Sequence, residues 1–202
     1  MSMLALAGLA ALILQYGLMI VNRKPDVSLA RTTVAFLSYF TILTNMLVTI
    51  SLIVPLLKPG CKGARFFSRP AVITSVAGYI TLVALIYALL LRHLWHPTGL
   101  QWLADELLHS IIPAGYVLYW LIFVPKGTLK WTLIFPWLLY PLAYFIYTLL
   151  RGFIAGVYPY PFIDVNTLGY GAVLLNAVMV LAVSCLIVFF FLALDHLMRK
   201  RG

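Results

Sequence analysis

Acidic side chains are scarce in this sequence. Five Asp and Glu stand among 202 residues, beside 14 Lys and Arg, and charged residues together make up only 9%. A soluble domain needs far more surface charge, so the chain is expected to be an integral membrane protein. The shortage of carboxylates also excludes a di-iron bundle, which takes further Glu residues beside its two Glu-x-x-His pairs. Two cysteines, Cys61 in a basic loop and Cys185 in an apolar run, give no disulfide framework. No basic segment precedes the first apolar run, Leu4 to Ile20, and no convincing cleavage site is found. It therefore reads as a retained helix and not as a signal peptide. Internal repeats and low-complexity linkers are also lacking.

What the sequence has in abundance is apolar length. It is 64% hydrophobic, with a mean hydropathy of +1.05. A span takes roughly 20 apolar residues, and runs bounded by charge, Pro and Gly predict spans over 3–21, 33–55, 71–91, 101–124, 132–150 and 170–195. The expected fold is an all-α polytopic membrane bundle of six transmembrane helices, one domain over 1–202. The net charge of +9 sits in short clusters between apolar runs, a topology signal and not a nucleic-acid surface. Lys58, Lys62, Arg65, Arg69, Lys126, Lys130, Arg199, Lys200 and Arg201 fall at the termini and even-numbered loops; Arg23, Lys24, Arg31, Arg92 and Arg151 fall on the other side. The majority places both termini in the cytoplasm of a multi-pass cell-membrane protein.

The fourth span opens at Pro97-Thr98-Gly99-Leu100-Gln101, where Thr98 and Gln101 have capping-box spacing. A cap at Thr98 leaves Asp105 and Glu106 about two turns inside the span, beyond the reach of the helix dipole. His109 then lies roughly 10–15 Å below the outer surface, and Thr41 of span two roughly 12 Å below it. Gln15 and Tyr16, Tyr87, Tyr144 and Tyr147, and Asn176 occupy similar levels of the other spans, which suggests a cavity opening outward. Ser38, Thr41, Asn45 and Thr49 share one helix face; helix packing explains such a stripe as well as a site does.

Ionisable groups at this depth are costly and face a cavity or a partner. Asp105 and Glu106 are four and three residues from His109, so either carboxylate reaches the imidazole and can orient it as a base. A hydroxyl such as Thr41 would then be the nucleophile. His93 and His96 could join a zinc site with His109 and Asp105, but they flank a helix end where an interfacial role fits better. His196, with Asp195 and Arg199, reads as a solvated helix end. The outer loop "GVYPYPFIDV" is either a proline-stiffened lid or an aromatic interface anchor, and Asp164 can cap the turn after it.

The motifs "SYFTILTN", "LLHSIIP" and "GVYPYPF", in that order, resemble the androgen-induced protein family, in particular its bacterial, Pr-six-Pr-like branch. That family comprises six-helix membrane hydrolases of fatty acid esters of hydroxy fatty acids. The resemblance implies a nucleophilic Thr41 and general-base help from His109. Where animal members carry an Asn-His pair, this chain carries Asp105-Glu106.

The reading is therefore a lipid-ester hydrolase fed from the bilayer, without cofactor. Thr41 attacks, His109 takes its proton, Asp105 or Glu106 orients His109, and Asn45 or Asn176 donates to the oxyanion. Ser38 and Tyr144 are further candidates for substrate contact. Three alternatives stand beside it: a proton-linked carrier using Asp105, Glu106 and His109 as a relay, a metal-dependent hydrolase, and an accessory protein whose cluster only joins helices.

Overall fold

The structure, a computed structural model, describes residues 1–199; Lys200 and Arg201 lie outside the described residues. Among those described, the fold is all-α. Its helices are α1 (Ser2–Val21), α2 (Leu29–Phe36), α3 (Phe40–Leu57), α4 (Lys62–Phe67), α5 (Pro70–Ile86), α6 (Gly99–Glu106), α7 (Ile112–Phe123), α8 (Ile134–Ala155) and α9 (Val165–Leu197). A π-helical turn over Tyr87–Leu91 prolongs α5, and another over Leu107–Ile111 joins α6 to α7. Six stretches are long and apolar enough to cross a membrane: Ser2–Val21, Phe40–Leu57, Pro70–Leu91, Gly99–Phe123, Trp131–Ala155 and Val165–Leu197. The chain is thus a multi-pass helical membrane protein.

Three boundaries differ from expectation by five residues or more, the simplest being the end of the fifth span, which runs on to Ala155. The second span begins at Phe40, because the chain breaks at Leu37–Tyr39 and residues 29–36 form the separate helix α2. Ser28 caps α2 by accepting the Arg31 amide at 3.2 Å. At the break, Ser38 Oγ donates to Val34 O at 2.5 Å, while its own carbonyl accepts the Tyr144 phenol at 2.9 Å. Tyr39 is extended, so α3 starts afresh after it. The last span starts before residue 170. Asp164 caps it through the Asn166 amide at 2.9 Å, and the first turn is set off by a kink at Gly169, whose φ of +74° suits glycine.

Packing rests on small residues and on polar groups that find partners, as apolar surroundings require. α1 lies along α3 and α5 contacts α3, α7 and α9. Gly8 lets α1 close on α3, since a Cβ there would stand 2.5 Å from Thr49 Oγ1. In the core, Trp120 Nε1–H donates to Thr74 Oγ1 at 2.7 Å and the Tyr116 and Ser51 hydroxyls pair at 2.9 Å. Such interhelical bonds contribute on the order of 0.6–2 kcal/mol each. At the terminal end of the bundle, Asp195 is buried and accepts the Leu129 amide at 3.0 Å. His196 stacks on Trp131 with ring centroids 4.9 Å apart. Asp195 thus joins α9 to the loop before α8, while His196 and Arg199 stay exposed, as expected of a solvated helix end.

Candidate functional site

Thr41 owes its position to the break before α3. Hydroxyls on membrane helices usually donate to the carbonyl four residues back. Thr49, Thr74, Thr81 and Ser184 all do so in this protein. Thr41 sits in the first turn, and the residue four before it, Leu37, lies outside the helix. Its hydroxyl instead faces His109 Nε2 at 3.4 Å and the Tyr160 hydroxyl at 3.3 Å. Its amide, one of the first-turn N–H groups without an intrahelical acceptor, donates to the same Tyr160 oxygen at 3.2 Å. The positive end of the α3 dipole therefore lies at this hydroxyl, where it favours developing negative charge.

His109 lies in the middle of the π turn between α6 and α7. Pro113, four residues on, has no N–H to give the His109 carbonyl, and its ring crowds that carbonyl in a regular α-helix. The wider turn accommodates both. Opposite it lies the second π turn, starting at Tyr87, whose ring stacks on the imidazole with centroids 4.0 Å apart. His109 Nδ1 faces two acceptors of Asp105, its backbone carbonyl at 2.9 Å and Oδ1 at 3.2 Å. Both require a proton on Nδ1, so Nε2 is left as the acceptor that faces Thr41.

The two carboxylates, equivalent by spacing, part company here. Asp105 is buried, with Oδ1 toward His109 and Oδ2 accepting the Tyr87 phenol. Glu106 turns away and pairs with Arg92, half exposed at the rim. It has no contact with the imidazole, and the expectation that it could orient His109 is corrected on that ground.

Tyr160 is not among the site residues expected from the sequence, where its loop reads equally as a lid and as an interface anchor. The segment after α8 folds inward: Tyr160 is 9% exposed, Ile163 is buried, and Phe162 stacks on Tyr160 with centroids 5.3 Å apart. Pro159 and Pro161 flank Tyr160 and stiffen its backbone, which is the signal that singles it out. Burial pushes its phenol up to about 12, so it remains a proton donor at physiological pH.

Several expected site residues serve the scaffold instead. The Asn45 side-chain amide donates to Thr41 O at 2.9 Å and Leu108 O at 3.1 Å, clamping α3 to the π turn. Asn176 donates to Phe162 O at 2.8 Å and so holds the inward-folded segment. Asn45 has both N–H groups spent on backbone carbonyls, and Asn176, with one of its two so engaged, borders neither cavity. Ser38 stabilises the break before α3, and Tyr144 spends its hydroxyl on the Ser38 carbonyl. Thr98 occupies the cap position of α6 without a side-chain bond, and Gln101 reaches Gln15 of α1 at 2.8 Å, so no capping box forms. Among the described residues no three His, Cys, Asp or Glu side chains gather as a metal-ligand set, and His93 and His96 do not join His109.

Two cavities meet at Thr41. The larger, about 990 Å³, is bordered by His109, Asp105 and the cations Arg23, Lys24, Arg31 and Arg151. The smaller, about 460 Å³, runs between α3, α5, α8 and α9 over walls such as Leu82, Phe145, Ala177 and Leu181. Thr41, Leu91 and Tyr160 border both.

No family model, curated protein or solved structure matches this chain. Fold and site define a multi-pass helical membrane protein with a largely buried Thr-His-Asp array at the junction of two cavities.

Proposed function

We propose that the protein is a membrane-embedded hydrolase of lipid esters. The observation that carries this reading is the line of contacts from Thr41 Oγ1 to His109 Nε2 at 3.4 Å and from His109 Nδ1 to Asp105 Oδ1 at 3.2 Å. Catalytic hydrogen bonds are often this long before substrate tightens them. In the proposed reaction Thr41 Oγ1 bonds to the ester carbonyl carbon while its proton passes to His109 Nε2. The carbonyl electron pair moves onto oxygen, where the Tyr160 hydroxyl donates to it in place of the two asparagines. Asp105 stabilises the imidazolium and Tyr87 holds Asp105 in place. Collapse of the oxyanion expels the alcohol oxygen, which takes the proton from His109. Water, deprotonated by the same nitrogen, then releases the acid and restores Thr41.

The motif likeness to the androgen-induced protein family supports the same roles for Thr41 and His109, and with them a fatty acid ester of a hydroxy fatty acid as substrate. The Lys and Arg distribution supports cytoplasmic termini, which puts the site at the outer side. Cys61, in the loop at the opposite end, should then react only with thiol reagents that enter the cytoplasm.

The test is labelling of the purified protein with a fluorophosphonate, alongside acid release from an ester of a hydroxy fatty acid. Labelling at Thr41 and acid release should both vanish in Thr41→Ala and His109→Ala, with the fold intact by gel filtration. Wild-type protein that takes no label and releases no acid, yet moves a solute into liposomes, would favour a carrier instead.

A further inference from the structure

The two cavities differ in a way that fixes which part of an ester each receives, granted the hydrolase reading above. His109 and Asp105 border the larger cavity and do not border the smaller one. The group that takes the nucleophile's proton must return it to the leaving oxygen, and therefore has to stand on the leaving-group side of the attacked carbon. The alcohol half accordingly belongs in the larger cavity. The acyl half, still bonded to Thr41 after the alcohol departs, is left with the smaller one.

The walls agree with that assignment. The smaller cavity has no charged side chain on its border, and its polar groups are Thr41, Tyr144 and Tyr160. Tyr144 has spent its hydroxyl on the Ser38 carbonyl, so beyond the reacting end the surface is hydrocarbon. Its outer rim is formed by Leu142, Leu174 and Val178, which are 41%, 51% and 63% exposed on the outside of the bundle. In a bilayer those residues meet lipid, so an acyl chain can pass between α8 and α9 without crossing water. The larger cavity is bordered instead by Gln15, Asn22 and four cations, and it admits the water that the second half-reaction needs.

We propose that the 460 Å³ cavity between α3, α5, α8 and α9 is the acyl-chain site, loaded sideways from the bilayer, and that the larger cavity holds the alcohol half. Because lipid tails are as apolar as the cavity wall, the chain gains little from transfer itself. Selection among acyl lengths then arises from the shape of the wall, with Ala177 and Leu181 of α9 as the residues that set it.

Two ester series test the assignment: p-nitrophenyl esters from hexanoate to palmitate, and octanoate esters of alcohols from ethanol to hexadecanol. Ala177→Phe and Leu181→Trp should lower kcat/KM for the palmitate by roughly tenfold or more relative to the hexanoate, leaving the order of alcohols unchanged. Ala35→Phe, in the wall of the larger cavity, should alter the alcohol series and spare the acyl series. The reverse pattern, or unchanged profiles in folded α9 variants, overturns the assignment. A second arm is independent of turnover: palmitic acid carrying a terminal diazirine, photolysed with Thr41→Ala in nanodiscs, should mark α5 and α9 residues such as Leu82, Ala177 and Leu181. Marks confined to Leu18, Val27 and Ala35 of the larger cavity refute the acyl site. Failure of the wild type to cleave any ester would remove the hydrolase reading alone, and the crosslinks would then decide whether the smaller cavity holds an acyl chain.

Discussion

Replacing Asp105 by Asn keeps the volume of the side chain and removes its charge. In the Ser-His-Asp template that change costs about 10⁴ in kcat, because the imidazole takes the wrong tautomer. The present site differs in one respect. His109 Nδ1 also faces the Asp105 backbone carbonyl at 2.9 Å, an acceptor that the substitution leaves in place. The tautomer should persist, and the loss should be limited to the missing charge beside the imidazolium. Two unit charges 4 Å apart interact by about 4 kcal/mol at an effective dielectric near 20, and the observed separation is 3.2 Å between largely buried groups. Allowing for partial compensation by the Asn dipole, kcat/KM should fall by about 10²–10³. The assay is hydrolysis of p-nitrophenyl octanoate by protein in detergent micelles, with thermal unfolding as the control for the lost Tyr87 contact. A loss within a few fold of wild type would remove Asp105 from the mechanism. A loss as large as that of His109→Ala would show that the backbone carbonyl does not hold the tautomer.

Three further outcomes follow from the same geometry. Tyr160→Phe should lower kcat by about 10–10³ with KM within a few fold, the range expected for one oxyanion donor; a change confined to KM would make Tyr160 a wall residue only. Glu106→Gln should retain full hydrolysis, because its partner is the half-exposed Arg92, and should cost about 0–1 kcal/mol in denaturant titration. Gly152→Ala puts a Cβ into the Tyr158 ring, so it should destabilise by about 1–3 kcal/mol and loosen the segment that carries Tyr160, which proteolysis between residues 156 and 164 would detect.

The parts of this molecule that were legible in the sequence are those governed by one-dimensional pattern. Spans follow from runs of apolar residues, whereas the depth count that sets Thr41 level with His109 assumes a continuous helix from Thr33, which the break at Leu37–Tyr39 removes; the motif resemblance points to the same pair. What escaped is set by local exceptions to the helix. Spacing of three and four residues made Glu106 and Asp105 equal candidates; the direction each takes depends on Arg92 and Tyr87, which arrive from another span. Ser38 looked continuous with the stripe of Thr41, Asn45 and Thr49, but the break at Leu37–Tyr39 takes it off that helix. Asn45 and Asn176 have the chemistry of oxyanion donors, yet backbone carbonyls left over near π turns and loop ends claim both amides. Tyr160 was hidden among aromatics with equal claims on the membrane interface, and only its flanking prolines marked it.

The break before α3 sets Thr41 apart from the other threonines and supports the nucleophilic role proposed for it. In a continuous helix through residues 33–55, the Thr41 amide would be bonded to the Leu37 carbonyl, and its hydroxyl would have the same carbonyl available, as Thr49 has that of Asn45. A hydroxyl so engaged gives its proton to a carbonyl that cannot carry it away. Ending α2 and restarting the helix at Phe40 frees both groups at once. The amide goes to Tyr160 and the hydroxyl faces a nitrogen with an open lone pair. The same restart aims a helix N-terminus at the oxygen where negative charge would form. Breaks of this kind are tolerated at membrane depth only where the freed backbone finds protein partners, and Tyr144 supplies the missing one by donating to the Ser38 carbonyl. The aromatic residues around the site thus do two jobs: Tyr144 sustains the break that exposes Thr41, and Tyr160 binds the amide that the break sets free.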